Sequence, residues 1–327
     1  MKKHNLEGVY LKRDHRNILK DAASLYGFHT EINENIIHFS EHNFVRSIEQ
    51  DGVLYFLRIT SEAHKPFNKI VGEVQWVNFL GEMGLCISMP VQSLNNNLVE
   101  RLNVDNKYYS VVCFNKAKGQ PVREDEKNQI LFKKMGMFMG KMHNVTKKYL
   151  HEDLITRRPD WYAETEKVLG LALPSSEGDI IKRYVALLEY LSKLPISIDT
   201  YGLIHADFHY GNFFIDGDSI CLFDFDASRY SWFIDDIAIS LFYAASSESL
   251  KTFSAKFIPA FMEGYQYESK LDELWMKEIP YFMKLREIGR YIKLFNACEG
   301  NINELHSWGR EFMNNRKQLI IHSFPEL

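Results

Sequence analysis

Cysteine is scarce in these 327 residues: Cys86, Cys113, Cys221 and Cys298 stand far apart, and no CxxC pair occurs. A chain of this length buries enough surface to fold without disulfide staples, so the thiols read as reduced and buried in a cytoplasmic protein. No apolar run approaches the length that crosses a bilayer. The opening MKKHNLEGVYLKRDH carries two lysines with no apolar stretch behind them, which is not a secretory signal. Internal repeats and low-complexity tracts are missing. So is any Lys/Arg-rich run with interleaved aromatics, which disfavours nucleic acid as a partner. A glycine-rich GxGxxG phosphate loop is also absent.

What is present is ordinary globular composition, 46% hydrophobic and 25% charged. The formal charge of -4 conceals an asymmetry: residues 1–150 sum to +5 and residues 151–327 to -9. A basic first half suits a polyanionic ligand, and an acidic second half suits a cationic ligand or a divalent metal. Solvated surface charge explains the same numbers equally well. The strand-like stretches ENIIHFS, FVRSIEQDGVLYFLRIT and KYYSVVCF lie in the first ~120 residues, the second with an Asp51-Gly52 hairpin signal at its centre. Between them, KPFNKIVGEVQWVNFLGEMG has the apolar spacing of an amphipathic helix closed by Gly84. After Pro121 helical spacing dominates, except for FFIDG and SICLFDF, which read as a small hairpin. The expectation is an α+β chain: a smaller sheet-and-helix lobe over 1–119 and a larger, mostly helical lobe over 120–327.

The densest chemistry lies in HADFHYGNFF, residues 205–214, followed by FDFD at 223–226. Phosphoryl transfer from a nucleotide asks a protein for positioning and charge neutralisation more than for covalent chemistry. One carboxylate must orient the acceptor hydroxyl and accept its proton. Magnesium, a hard cation, takes oxygen ligands, one or two of them from protein. Asp207, Asn212 five residues later, and Asp224 beyond the hairpin fit these three tasks. Asp207 and Asn212 taken singly are also ordinary turn residues. Asp224 ends an apolar strand, where a buried carboxylate requires a partner.

His205-Ala206-Asp207 with Asn212, then Phe223-Asp224-Phe225-Asp226, resembles the aminoglycoside phosphotransferase and choline kinase family, small-molecule kinases of bilobal protein-kinase-like fold. The family's loop reads close to HGDLHPGN; here Ala206 replaces Gly and Tyr210 replaces Pro. The resemblance implies Asp207 as catalytic base, and Asn212 with Asp224 as magnesium ligands. It implies His205 and His209 as structural supports of the loop, and Asp236 (or its neighbour Asp235) as the brace beneath it. Asp226 is implied for a second metal or for substrate. In the first lobe, Arg58 in YFLRI stands where the family has Arg or Lys on the nucleotide phosphates. Glu73, read as opening the helix GEVQWVNFL, steadies it. Ser40 and Asn43 occupy the phosphate-loop position, and Phe114 lies in the hinge strand that carries adenine. MGKMHNVT, RRPDW, FMEGYQYE and YFMKLREIGRYI extend the resemblance over about residues 30–296, toward a subset with type II homoserine kinases and spore-coat or stress-response kinase-like proteins.

The implied cofactors are ATP and Mg2+, and the implied partner is a small hydroxyl acceptor bearing an amine, of aminoglycoside, amino alcohol or homoserine type; no membrane or nucleic-acid partner is expected. Three other readings stand beside this one. A protein Ser/Thr kinase of the same fold would need an activation segment, and only nine residues separate Asp226 from Asp236. A non-catalytic nucleotide-binding protein would accommodate Arg58 and the absent glycine loop. A metal-dependent hydrolase would use His205 and His209. Oligomeric state is open.

Overall fold

The computed structural model describes residues 13–28, 36–39, 43–150, 153–171, 173–245 and 250–325, with side chains from residue 17 onward except at 36–39 and 43. The chain forms two compact units. The first comprises Met1–Lys118, His151–Arg157 and Cys221–Phe223; the second comprises Gly119–Leu150, Arg158–Ile220 and Asp224–Leu327.

The first unit is built on an antiparallel sheet: β1 (Ile36–Phe39), β2 (Asn43–Gln50), β3 (Val53–Ser61), β4 (Pro90–Val91), β5 (Glu100–Val104) and β6 (Lys107–Asn115). The order is β1-β2-β3-β6-β4, with β5 also pairing β6. Asp51 and Gly52, both at positive φ (54° and 74°), turn β2 into β3, so that Gln50 pairs with Val53. Strand alternation sends successive side chains to opposite faces. Leu57, Ile59, Val111 and Cys113 meet Ile18, Leu19, Ala22 and Ala23 of α1 (Arg13–Ser24). Val112 and Phe114 meet Ile70 and Val74 of α2 (Phe67–Glu82) on the other face.

Helix α2 starts directly after Pro66, whose fixed φ suits a helix start but whose missing N–H does not extend one. Glu73 therefore sits nearly two turns in and does not open the helix. The end is a Schellman motif: Leu85 N–H reaches Leu80 O (3.1 Å), Gly84 N–H reaches Gly81 O (2.9 Å), and Gly84 has φ 83°. Asn68 and Lys69 hold the returning segment by hydrogen bonds to the carbonyl of Ile155 (2.8 and 3.0 Å).

In the second unit, β7 (Gln120–Pro121) leads to α3 (Gln129–Thr146), α4 (Trp161–Leu169) and α5 (Gly178–Leu191). Then come β8 (Tyr201–Ile204), β9 (Phe213–Asp216), β10 (Ser219–Leu222, whose last two residues belong to the first unit) and β11 (Arg229–Trp232). The helices α6 (Phe233–Ala244), α7 (Leu250–Glu268), α8 (Ile279–Ala297), α9 (Ser307–Met313) and α10 (Arg316–His322) complete it. Helices α3 and α7 approach at backbone distance because glycines face carbonyls. A Cβ on Gly136 would overlap Phe261 O, and one on Gly264 would overlap Lys133 O. Helix α6 is buried continuously from Phe233 to Leu241, which suits its nearly all-apolar sequence. Strands β9 and β10 form a hairpin across Gly217-Asp218, with β7 on the far side of β9. Strand β11 pairs antiparallel with β8, Arg229 opposite Ile204 and Trp232 opposite Tyr201.

Three of the four cysteines are buried and Cys86 is half-buried; all four are free thiols. Among the described residues, no helix is long and apolar enough to cross a membrane.

Candidate active site

The loop between β8 and β9 is held by a carboxylate beneath it. Asp236, in the first turn of α6, accepts the His205 N–H at Oδ2 (2.9 Å) and the Ala206 N–H at Oδ1 (2.8 Å). His143 Nε2 stands 3.2 Å from the same Oδ2, and its Nδ1 is 2.9 Å from the Tyr265 hydroxyl. Burial pushes the Tyr265 phenol up, so it stays a donor. Burial likewise pushes His143 down, against the pull of Asp236, and keeps it neutral. The proton order is therefore Tyr265 O–H to His143 Nδ1, then His143 Nε2–H to Asp236. Burial alone would raise the Asp236 carboxyl, but the hydrogen bond from His143 and the one from the His205 amide outweigh it and hold the group below its ordinary value. Asp235, the alternative brace, turns elsewhere: its Oδ2 accepts from Arg229 Nη2 (2.9 Å) and Ser231 Oγ (2.8 Å).

Asp236 grips two consecutive amides, and the backbone between them adopts φ 62° at Ala206. This left-handed geometry is why glycine is the easier residue there. The turn brings Asp207 round so that its N–H meets His205 Nδ1 (3.2 Å).

The Asp207 side chain is engaged at both oxygens. Oδ1 forms an ion pair with Arg286 Nη2. Oδ2 accepts from Asn212 Nδ2 (3.1 Å) and stands 3.4 Å from His209 Nε2. His209 Nδ1 accepts the Gly211 N–H (3.0 Å), which places its ring proton on Nε2, toward Asp207. Burial pushes the Asp207 carboxyl up. The His209 hydrogen bond and the Arg286 charge outweigh that and hold it far below the carboxylate range. Asp207 is ionised throughout the neutral range.

Asn212 Nδ2 also donates to the Asp207 carbonyl (2.9 Å). With the amide nitrogen committed twice to Asp207, the other end of the Asn212 amide is an uncharged oxygen acceptor. The β9–β10 turn returns the chain so that Asp224 follows two residues after Leu222, at the end of the hairpin where Asn212 begins it. Asp224 differs from expectation in one respect: it is exposed, not buried, because the chain leaves the strand at Phe223. It has φ 63° and ψ 66°, a conformation costly for any side chain and least so for Asn and Asp. A carboxylate on a strained turn and an uncharged amide oxygen are both hard-oxygen donors, the types that fit a magnesium ion. Asp226 is half-buried in the following 3-10 turn. The turn is pinned by Arg158 of the RRPDW stretch, which donates to Asp226 O (2.7 Å) and Ser228 O (2.9 Å).

In the first unit, alternation along β3 turns Arg58 toward α2, where its Nη1 meets Glu73 Oε1 at 2.7 Å. Both are almost fully buried, and Lys65 Nζ stands 3.9 Å from the other Glu73 oxygen. The Arg58 guanidinium lies 5.3 Å over the Phe114 ring. Ser40 lies outside the described residues. Asn43 begins β2 opposite Thr60, and its side chain lies outside them too. Among the described residues, no group of three or more His, Cys, Asp or Glu side chains is placed to hold a metal, so His205 and His209 have no further ligands of that kind.

Four residues around Asp207 escaped the sequence reading: Arg286, Arg290, Tyr243 and the pinning Arg158. The signal for the first two was an Arg pair at i, i+4 in LREIGRYI, continued by Lys293 on the same side of the helix.

Comparison with known proteins identifies the family. The phosphotransferase enzyme family matches residues 37–278. The amicoumacin kinase of Bacillus subtilis (strain 168) is 33% identical over 279 residues, which cover 83% of this chain and 82% of that protein. A solved structure of the amicoumacin kinase hAmiN, in complex with AMP-PNP, Ca2+ and Ami, superposes with a TM-score of 0.87 at 32% identity, covering 95% of this chain and 94% of that one. A microcompartment-associated aminopropanol kinase shares the fold, with a TM-score of 0.74 at 18% identity over 93% and 96% of the two chains. The loop held by Asp236, the Asp207–Asn212 pair and the extent of these matches lead to one conclusion: the chain belongs to the phosphotransferase enzyme family, enzymes that move a phosphoryl group to a hydroxyl of a small molecule, in a protein-kinase-like fold.

Proposed function

We propose that the chain phosphorylates a hydroxyl of a small, amine-bearing compound, using ATP and Mg2+. Residues 1–119 act as the nucleotide-binding lobe and residues 120–327 as the catalytic and acceptor lobe. The observation that carries the reading is the double commitment of Asn212 Nδ2 to Asp207. It fixes a carboxylate for the acceptor hydroxyl and an amide oxygen for a metal in one rigid turn.

Asp207 Oδ2, ionised and facing the loop, orients the hydroxyl and takes its proton as the new O–P bond forms. So low a basicity makes Asp207 chiefly a positioning group early in the transfer, which suits a loose transition state in which the hydroxyl proton moves late. Asn212 Oδ1 and Asp224 would hold the metal, which would supply charge neutralisation to the nucleotide phosphates. Arg58, kept in place by Glu73, serves the phosphates together with Ser40 and Asn43 at the phosphate-loop position, and Phe114 lies in the strand that carries adenine. The protein-kinase alternative is weakened by β11, which locks four of the nine residues between Asp226 and Asp236 into a ladder with β8. Similarity to the amicoumacin kinase makes amicoumacin the first acceptor to try, with aminopropanol and spectinomycin beside it. Transfer of labelled phosphate from ATP is expected to at least one of them, with Asp207→Asn slowing it by about a thousandfold. Nucleotide binding without transfer to any amine-bearing alcohol would overturn the reading.

A further inference from the structure

Beside Asp207, four guanidinium N–H contacts converge on one phenol oxygen. Arg286 reaches the Tyr243 hydroxyl through Nε (3.2 Å) and Nη2 (2.8 Å), and Arg290 through Nε (3.1 Å) and Nη2 (2.8 Å). A phenol oxygen has two lone pairs, so it is oversubscribed. The neighbouring charges are otherwise matched. Arg286 pairs with Asp207, Lys293 with Glu164, and Arg229 with Asp235. Among the described residues, no carboxylate meets Arg290, whose side chain is nevertheless half-buried. Arg286, Arg290 and Lys293 recur at helical spacing and form one stripe along α8. The surplus cation on that stripe is Arg290, one turn from the guanidinium that grips the catalytic carboxylate.

A guanidinium taken partly out of water and given only a neutral, shared oxygen bears a desolvation cost that a planar oxygen acceptor would offset. The Tyr243 ring is itself fixed, 4.8 Å from His209 and 5.1 Å from the Arg286 guanidinium, so the fork of Arg290 is held in position before any ligand arrives. We propose that Arg290 receives a carbonyl-type oxygen, carboxylate or amide, that the acceptor carries close to the hydroxyl being phosphorylated. The inference rests on the phosphotransferase reading for the identity of the ligand as acceptor. It also restricts where the amine lies: away from the α8 stripe, because an ammonium near Arg286 and Arg290 would be repelled. The acceptor is thus a hydroxy acid or hydroxy amide in the region of the reacting hydroxyl, and a simple amino alcohol is a poor one.

The test separates the subsite from turnover. Full-length protein with isotope-labelled arginine is titrated with glycolate, glycolamide and ethylene glycol, and the Arg290 Nε resonance, identified by its loss in Arg290→Lys, is followed. Saturable shifts with glycolate or glycolamide but not ethylene glycol are expected; the stronger of the two tells carboxylate from amide. Equal response to all three, or to none, overturns the proposal. Calorimetric binding of AMP-PNP with magnesium in the same preparation reports separately on the phosphotransferase reading. With whichever acceptor is turned over, Arg290→Met is expected to raise KM about tenfold or more with little change in kcat, and Arg290→Lys to recover part. An unchanged KM in Arg290→Met, or a best acceptor without such an oxygen, contradicts it.

Discussion

Replacing Asp236 by Ala removes the acceptor for three donors at once: the His205 and Ala206 amides and His143 Nε2. All three partners and Asp236 itself are fully buried, so water does not substitute readily. A buried donor left without an acceptor costs about 1–3 kcal/mol. The three are neighbours and partly share relaxation, so the expected loss is about 4 kcal/mol, a large part of the roughly 5–15 kcal/mol typical of a folded protein. Asp236→Asn keeps one acceptor oxygen but turns an NH2 group toward the other donors, and is expected to cost about half as much. The assay is urea unfolding followed by tryptophan fluorescence across pH. Because the folded carboxyl lies below its ordinary value, its contribution is complete above the unfolded value of about 3.9 and is lost as pH falls through the folded one. The gap between wild type and Asp236→Ala should therefore stay constant from pH 8 to about 5 and narrow only at more acid pH. A gap under about 1 kcal/mol, or one that closes near pH 6, would refute the brace, the latter by assigning the effect to protonation of His143.

Ala206→Gly is expected to raise stability by about 0.5–1 kcal/mol, because relief of the left-handed backbone exceeds the added chain entropy of glycine; the urea midpoint reports it, and a lowered midpoint is the contrary result. Glu73→Gln should cost about 3–5 kcal/mol, since it leaves the Arg58 guanidinium buried without its anion; a loss below about 1 kcal/mol would show that the pair contributes little. Arg286→Met removes one of the charges that hold the Asp207 carboxyl down. The acid limb of kcat/KM should therefore move to higher pH, and a limb that stays in place or moves lower would show that Arg286 does not act on Asp207.

The elements that carried strong local signals were legible. Asp51-Gly52 gave the β2–β3 hairpin, Gly84 the end of α2, and the 3.6-residue spacing most of the second unit. Helix α1 and strand β5 were not, because RDHRNILKDAAS and ERLNV carry too many polar residues for a period to stand out, and tertiary packing against β3 and β6 fixes them. The Asp207–Asn212 contact was legible as residue types at a spacing, since it is made within one local turn. Arg286, Arg290 and Tyr243 come from helices remote in sequence. Their chemistry exists only once α6 and α8 pack, and a charge on a helix face looks like a solvated one until then. The same applies to Asp224, whose strand suggested burial: two residues past the ladder are enough to expose it.

The most direct measurement of the central claim is a calorimetric titration of AMP-PNP, with and without magnesium, into wild type, Asp207→Asn and Asp224→Ala. Wild type should bind tightly only with the metal. Asp207→Asn should keep that affinity within about threefold while losing phosphoryl transfer, and Asp224→Ala should lose the dependence on magnesium. Metal-independent binding in wild type, or loss of binding in Asp207→Asn with Asp224→Ala unaffected, would contradict the assignment of base and metal ligands.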